Sequence, residues 1–417
     1  MKPPPPPTTR WLVLVLVSLA MFGNYYVYDS IGPLAPLLSE QLGFSDANIG
    51  LLQAIYSFPN IVMVLIGGVI IDRIGTRKAT LIFGAICFVG AVITALSPSL
   101  RTMATGRLVF GLGAESLIVA ITTAIARWFR GKELSFAFGI NLTISRFGSL
   151  LAQVSPTWAA WAYTSWQGPL LISVVFGAFC IAGAAAYWLL ESRAESRYDL
   201  GAVKTDKVAL KDILGFGTSF WLIVALCITF YSGIFPFQTF AQKFFIEARQ
   251  ASAEQASMLV GMLTVFAMIG TPLFGYLVDR VANRSLFMMV GSLLLIPVYL
   301  LMAYTTVPLW VPMATMGIAF SMIPAVMWPS VAYVVSDSKL GTAYGLMTMI
   351  QNIGLFGFNL LIGWANDSWG ASAANPAGYR PGMWMFSCLG FFGLLFAFLL
   401  RRVETGPRAH GLETIKV

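Results

Sequence analysis

Charge is what this sequence has least of. Only 11% of its 417 residues are Asp, Glu, Lys or Arg, against about 25% in soluble domains, while 58% are hydrophobic. That balance excludes a water-soluble globular domain. Histidine is nearly missing: the one residue, His410, lies in the C-terminal tail, a poor place for a proton relay. The four cysteines, Cys87, Cys180, Cys227 and Cys388, lie far apart in apolar stretches. Their spacing suits neither a disulfide nor a metal site, and buried free thiols are expected. There is no phosphate-binding glycine loop, nucleophile elbow or metal-ligand cluster. An enzyme is therefore not expected, and neither is a cofactor.

What is present is apolar sequence in blocks long enough to cross a bilayer. The mean hydropathy is +0.78, and twelve stretches each supply roughly the 20 apolar residues that span ~30 Å of hydrocarbon. They fall near 11–37, 47–71, 79–97, 103–127, 134–158, 167–190, 218–245, 254–278, 286–304, 307–335, 341–365 and 382–401. The first is too long for a signal peptide and has no clear small-residue cleavage site after it. Cations set the orientation. Of 26 Lys and Arg, four fall in the alternate loops (Arg101, Lys243, Arg249, Arg380) and two within spans (Arg107, Arg146). The others share the side of the two termini, which is therefore expected to be cytoplasmic. The net charge of +8 follows from this distribution and is no argument for nucleic acid as a partner.

The chain divides into halves. Residues 1–10 read as a disordered proline-rich tail, since a proline run cannot be helical. Residues 11–190 form a six-helix bundle, 191–217 a polar cytoplasmic loop, 218–401 a second six-helix bundle, and 402–417 a tail. Internal repetition supports the division. Gly68, Asp72 and Arg73 in GVIIDR recur as Gly275, Asp279 and Arg280 in GYLVDR, an offset of 207. Gly139 and Gly148 of the fifth span recur as Gly345 and Gly354 of the eleventh, an offset of 206. The expected fold is all-α, with 12 transmembrane helices in two pseudo-symmetric six-helix bundles. In such repeats the substrate site lies near mid-membrane at the repeat interface.

Against this background a few polar side chains stand out. A charge at the bilayer centre costs roughly 3 kcal/mol on insertion scales, which marks it as functional by default. Four ionisable residues lie well within the spans: Asp29, Arg107, Glu115 and Arg146. Asp29 follows a polar run that includes Tyr25 and Tyr28 and precedes Pro33, which frees backbone carbonyls beside protein or water. It is a candidate for substrate contact or proton coupling, or for a bond to a neighbouring helix. Arg107, eight residues before Glu115, is about 12 Å further along the helix and reads as structural or coupling. Glu115 and Arg146 lie on consecutive spans, each about 20 Å from the short loop that joins them. They could pair as a salt bridge, but such pairs often add little over apolar packing. Thr143, Ser149 and Gln153 continue the polar face of the fifth span, which favours a cavity. The second half supplies Tyr231, Phe235 and Gln238 in the seventh span, Trp328 between Pro324 and Pro329 in the tenth, and Tyr344, Gln351, Asn352 and Asn359 in the eleventh. Asn352 is the repeat counterpart of Arg146.

The loop motif with Gly68, Asp72, Arg73, Gly75, Arg77 and Lys78 resembles the signature between helices 2 and 3 of the major facilitator superfamily. Arg107, Gly111 and Gly113 resemble its helix-4 motif. Asp72, Arg73, Arg77, Asp279 and Arg280 are accordingly candidates for a conformational latch, with the second copy weakened because Ala282 stands where the first has Gly75. The glycine-proline antiporter motif of the fifth helix is missing. The stretches YYVYDSIGPL, YSFPN, RLVFGLGAESLIVA, FGINLTISRFGS, MWPSVAYVV and GTAYGLMTMIQNIG are similar to the major facilitator superfamily domain-containing protein 1 family. That resemblance implies uniport of dipeptides by alternating access, with Glu115 on the substrate amino group, Arg146 on its carboxylate and Trp328 beside the bound peptide. Glu115 is also a candidate proton site. Alternatives are an organic-anion proton symporter or exchanger, with Arg146 on a carboxylate, and a non-transporting sensor or scaffold. Family members from animals are lysosomal. This sequence has no acidic dileucine signal in an extended N-terminal tail, and its outer loops are short. A bacterial inner membrane is therefore the expected location, with a monomer, a small-molecule substrate and the lipid bilayer as the expected assembly. A glycosylated accessory subunit is in question.

Overall fold

The computed structural model describes residues 3, 5–129, 133–198, 215–336, 339–407 and 409–414. Lys2, Arg130, Lys132, Lys204, Lys207, Lys211, Arg408 and Lys416, which the cation count relies on, lie outside the described residues, as does most of the loop expected at 191–217.

Among the described residues there is helix and no strand. The order is α1 (Pro7–Asp29), α2 (Ile31–Leu42), α3 (Asp46–Ile74), α4 (Thr76–Ala95), α5 (Leu100–Trp128), α6 (Leu134–Gln153), α7 (Ser155–Trp158), α8 (Gln167–Arg197), α9 (Thr218–Arg249), α10 (Ala253–Val281), α11 (Arg284–Tyr304), α12 (Trp310–Val334), α13 (Leu340–Ser368) and α14 (Arg380–Glu404). Eleven helical stretches among the described residues are long and apolar enough to cross a membrane, with α1 and α2 counted as one. The fifth expected span is helical as α6 but is not among the eleven, and it is the helix that carries Asn141, Thr143, Arg146 and Gln153.

Several boundaries differ from the sequence reading. Helix begins at Pro7, inside the segment read as a disordered tail, because a proline at the first helical position has no amide that needs a partner. The sixth span runs on to Arg197, and α9 continues to Arg249. Lys243, expected as a loop cation, is therefore a helical residue and only 6% exposed. Of the cysteines, Cys87, Cys180 and Cys227 are buried, but Cys388 is exposed, on a face of α14 that apolar sequence alone could not orient.

The chain forms two compact units. One comprises residues 1–42 and 55–207, the other residues 43–54 and 208–417. Gly43–Ala54 thus groups with the second unit, although it precedes most of α3. In the first unit, α1 packs on α6 and α8, and α4 on α5 and α8; in the second, α9 packs on α13 and α14, and α11 on α12 and α14. Each pair has its counterpart under the sequence repeat. The core of the first unit includes Val13, Leu14, Phe83, Phe110, Leu117, Ile121, Trp128, Phe129 and Tyr187. Helices approach most closely where side chains are small, as is usual when lipid supplies no hydrophobic drive between them. A Cβ on Gly67 would stand 2.6 Å from Ser116 Oγ, and one on Gly270 would stand 2.5 Å from Ser321 Oγ. The α3–α5 and α10–α12 crossings therefore each have a glycine against a serine.

The repeat also explains a strained residue. Gly75, after α3, has φ 84° and ψ 157°, a region that glycine enters freely. Its counterpart Ala282 keeps a positive φ of 64° with ψ −144°. The next residue, Asn283, also has positive φ and donates its amide to the Glu413 carbonyl at 3.2 Å. Glu413 Oε1 in turn accepts from the Ser285 amide at 2.9 Å, so the tail caps the start of α11. Such backbone strain costs on the order of 1–3 kcal/mol. Ala282→Gly is expected to stabilise the protein by about 1 kcal/mol, read as a higher unfolding temperature in detergent; a lower one would contradict the strain.

Candidate functional site

The site in the first unit is built where helix is interrupted. Pro33 and Pro36 lack amides, and helix stops at Asp29 and restarts at Ile31. The carbonyls left behind need donors. Val27 O accepts from Ser30 Oγ at 2.8 Å and from Arg107 Nη1 at 2.9 Å, while Tyr28 O accepts from Arg107 Nη2 at 3.2 Å. In the second unit Pro236 lies within the continuous helix α9, and Gly233 O in that helix accepts from Tyr299 Oη at 2.7 Å.

Arg107 is 1% exposed. Its guanidinium also lies 5.5 Å from the centre of the Tyr56 ring, 6.0 Å from that of Tyr28 and 5.3 Å from that of Phe110. Tyr56 then donates its hydroxyl to Glu115 Oε1 at 3.3 Å. A Cβ on Gly111 would stand 2.3 Å from Tyr56 O, and this close approach of α3 and α5 one turn before Glu115 lets the hydroxyl reach. Arg107, expected to be structural or coupling, is therefore one residue removed from the candidate site. Arg107→Ala would take the donor from Tyr28 O and leave Val27 O with Ser30 alone, at about 1–3 kcal/mol for the stranded carbonyl. It is expected to lower thermal stability and weaken substrate binding together; an unchanged unfolding temperature would remove this role.

Glu115 and Arg146 lie nearly the same number of residues from the α5–α6 turn. Among the described residues Glu115 has no ion pair; its hydrogen bond comes from Tyr56. The Arg146 guanidinium lies 5.7 Å from the Tyr25 ring centre, and Tyr25 is within Coulombic range of Arg146, Glu115 and Asp29. Asp29 in turn has Ser149 and Gln153 beside it and Arg146 and Arg107 within Coulombic range. Tyr25, Tyr28, Asp29, Glu115 and Arg146 thus gather in one polar region of the first unit, as their positions in the sequence suggest. Thr143, assigned to the same stripe, is exposed.

The neutral candidates lie in the second unit. Trp328 donates its Nε1 hydrogen to Tyr231 Oη at 2.9 Å, and Tyr344 donates to Trp328 O at 3.2 Å. The Trp328 and Tyr344 rings stack at 6.0 Å. Gln351 Oε1 lies 3.8 Å from the Cys227 thiol. Asn352 is 1% exposed; its amide nitrogen bonds to Thr348 O at 3.0 Å within its own helix, and its buried Oδ1 has no hydrogen-bond partner among the described residues. Gln238 is 8% exposed. Phe235 stacks on Tyr231 at 5.4 Å.

The latch candidates fall at helix ends. Asp72 and Arg73 are exposed. Arg77 pairs with Glu195 at 2.7 Å, and Arg127 bridges Glu191 at 2.6 Å and Glu195 at 3.3 Å. Asp279 pairs with Arg284 at 2.8 Å, and Arg280 lies 4.5 Å over the Tyr276 ring. The acids of α8 balance part of the basic cluster, which the loop motif by itself did not reveal. His410 lies against Glu404, 2.8 Å from Oε1, on the tail.

A set of residues that sequence reasoning passed over closes the start of α3. Lys243 pairs with Asp46, and Asn366 Nδ2 donates to Asp46 Oδ2 at 2.8 Å. The Asp367 carboxylate accepts from the amides of Asp46 and Ala47, each at 2.8 Å, capping that helix from α13. Close approach assists: a Cβ on Gly363 would stand 2.4 Å from Asp46 O. The only signal in the sequence was a lysine and two acids near the ends of apolar stretches, which normally marks a water-exposed loop.

A chain whose described residues are helical and form two repeated units, with buried charges beside a break in the first helix, defines a membrane carrier. The family model of the Major Facilitator Superfamily matches residues 17–356 and 238–416, and the chain belongs to that superfamily. Among curated proteins it is 34% identical over 363 residues to the lysosomal dipeptide transporter MFSD1 of Danio rerio, covering 83% of this chain and 78% of that one. Against the Homo sapiens protein of the same name it is 33% identical over 378 residues, 87% of this chain and 81% of the other. The hexuronate transporter of Escherichia coli K12 is 24% identical over 420 residues, 94% and 93% of the two chains. Two solved structures share the fold. One is a mutant of the nucleoside transporter NupG, at TM-score 0.75 and 14% identity over 94% of this chain and 99% of that one. The other is a bacterial homolog of the human lysosomal transporter Spinster, inward-facing and occupied, at TM-score 0.75 and 17% identity over 95% and 98%. The protein is a membrane transporter, not an enzyme.

Proposed function

We propose that this carrier moves dipeptides, or similar small zwitterions, by alternating access and as a uniporter. The observation that carries the reading is the disposition of Glu115 and Arg146: opposite charges at nearly equal residue counts from the α5–α6 turn, with Tyr25 in range of both and Glu115 held by Tyr56. A zwitterion satisfies both. Glu115 takes the amino group; Arg146 takes the carboxylate, where a planar guanidinium forms paired charge-assisted bonds that fix orientation. Tyr25 and Tyr28 complete this set. Trp328, Tyr231, Gln238, Gln351 and Asn352 are the further substrate contacts, the aromatic rings tolerating varied side chains and the buried Asn352 Oδ1 accepting a peptide amide. Asp72, Arg73, Arg77, Asp279 and Arg280 take part in the conformational change. Asp29 and Glu115 are the groups through which a proton would couple if transport is not uniport. The relatives named as dipeptide transporters support this substrate class.

The hexuronate relative supports a second reading, in which Arg146 binds the carboxylate of an organic anion and Glu115 is a proton site. Ligand-induced thermal stabilisation separates the two. Dipeptides should stabilise the purified protein, while N-acetylated or C-amidated versions should not. Equal stabilisation by simple monocarboxylates or a hexuronate would transfer the assignment to the anion carrier. Counterflow in liposomes under imposed pH gradients would then decide coupling. For location, the cation distribution favours cytoplasmic termini, and the short outer loops favour a bacterial inner membrane; the animal relatives named as lysosomal make a lysosomal membrane the alternative.

A further inference from the structure

At the end of the second unit opposite its C-terminal tail, a cavity of about 370 Å³ opens among Tyr304, Trp369, Asn375, Arg380, Pro381 and Trp384. It lies outside the polar groups assigned to substrate, and transport by those groups leaves it without a role. Its walls are fixed by contacts between helices. Trp384 donates its Nε1 hydrogen to Tyr304 Oη at 3.0 Å, tying α14 to the end of α11. Asn375 Nδ2 bonds to Trp369 O at 2.9 Å and Gly370 O at 3.1 Å, which folds the α13–α14 connection into a rim.

The charge in this cavity is one-sided. The Arg380 guanidinium lies 4.7 Å over the Tyr304 ring, and among the described residues it has neither a hydrogen bond nor an ion pair. The acid nearest in sequence, Asp367, already caps α3 through two amides, and Glu247, bonded by the adjoining Tyr379 at 2.5 Å, lies 3.8 Å from Lys243. An aromatic box without a cation would suit a quaternary ammonium. With a guanidinium already on the Tyr304 face, the box selects an anion instead.

Below the cavity, α14 presents an unbroken apolar stripe. Trp384, Phe391, Leu395 and Phe398 are 46%, 55%, 47% and 44% exposed, and Cys388 on the same line is exposed as well. Their spacing follows one helix face, so the stripe descends directly from the headgroup-sized pocket into the hydrocarbon. Tryptophans at the top of such a face mark the bilayer interface. An anion that brings its own acyl chains satisfies both parts.

We infer that this cavity is a binding site for the phosphate-bearing headgroup of an anionic phospholipid, with Arg380 on the phosphate, Trp369 and Trp384 flanking the glycerol, and an acyl chain along Trp384, Phe391 and Leu395. The site is separate from the transport reading and stands or falls independently of it.

The test uses the full-length protein in detergent. Native mass spectrometry and thermal unfolding are run with phosphatidylglycerol, with phosphatidylcholine of the same acyl chains, and with glycerol phosphate. Phosphatidylglycerol is expected to be retained about tenfold better than phosphatidylcholine and to raise the unfolding temperature. Arg380→Ala should bring the two lipids level, Arg380→Lys should keep a part of the preference, and Trp384→Ala should reduce retention of both. Arg101→Ala, at an exposed cation of the first unit, should leave the preference intact and controls for general charge. Equal retention of the two lipids by the wild type, or an undiminished preference in Arg380→Ala, would overturn the site. Stabilisation by glycerol phosphate equal to that by the lipid would overturn the lipid assignment and identify a soluble phosphate ester.

Discussion

Arg146→Ala is expected to abolish dipeptide-induced stabilisation and to weaken dipeptide binding at least about 30-fold. Truncating one partner of a buried, hydrogen-bonded charge pair costs roughly 2–5 kcal/mol, and each 1.4 kcal/mol is a factor of ten. Much of that loss is the ligand carboxylate left in a low-dielectric site without its counterion. Arg146→Lys should recover only part, since an ammonium is a point charge and cannot form the paired geometry of the guanidinium. Glu115→Gln tests the other end more selectively. The substitution keeps the size of the side chain and an oxygen for the Tyr56 hydroxyl, so the local contact at 3.3 Å can persist. Only the negative charge goes. Free dipeptides should lose most of their affinity, and the wild-type preference over N-acetylated dipeptides should collapse. Thermal shift and isothermal titration on both variants read this out. Retention of stabilisation in both would sink the clamp, whereas its loss in Arg146→Ala alone, with monocarboxylates still bound by Glu115→Gln, would favour the organic-anion carrier.

The second large effect is expected at Asp46 and Lys243. Asp46 is 1% exposed and Lys243 6%; removal of Lys243 leaves Asp46 as a buried charge without its counterion, which costs on the order of 3–5 kcal/mol, whereas removal of Asp46 leaves Lys243 the more distant Glu247 at 3.8 Å. Lys243→Met should therefore lower the unfolding temperature markedly. Asp46→Asn should do the same with a smaller drop, because an amide can still accept from Asn366, which now donates at 2.8 Å. The double variant Asp46→Leu, Lys243→Met should recover most of the loss, since an apolar pair of similar volume often replaces a buried ion pair without penalty. Asp367→Ala adds an independent check. It strands the two amides at the start of α3, and a capping loss of about 1 kcal/mol is expected. Single variants that unfold at the wild-type temperature would show that the pair holds nothing. The ion pair lies within the second unit, to which Gly43–Ala54 belongs.

Much of this was legible before any coordinates. Apolar length and the scarcity of charge required a helical membrane protein, because only internally bonded backbone survives in hydrocarbon. The offset between GVIIDR and GYLVDR revealed the repeat, and the structure extends it to packing, where α1 on α6 and α8 is matched by α9 on α13 and α14. Glu115 and Arg146 were conspicuous because a charge in an apolar run is costly wherever it points. Tyr56 was not conspicuous, since tyrosines are common in membrane helices and only the flat contact of Gly111 on its carbonyl brings its hydroxyl to Glu115. Lys243 was misplaced for the opposite reason. A lysine at the end of an apolar run ordinarily lies in water, and its burial depends on an aspartate nearly two hundred residues away.

The sequence by itself determined the class of molecule, its two halves, its superfamily signature and the buried charges that any function must satisfy. These follow from composition, periodicity and solvation cost, which act on each segment separately. The tertiary structure decided the rest: that Glu115 answers to Tyr56, that Arg107 holds the break in the first helix, that Asp46 and Lys243 meet, and that Arg380 stands in an aromatic cavity among residues whose acids are already engaged. Each of these depends on which helix faces which, and that is set by the packing of small residues at crossings rather than by the polarity of any one span.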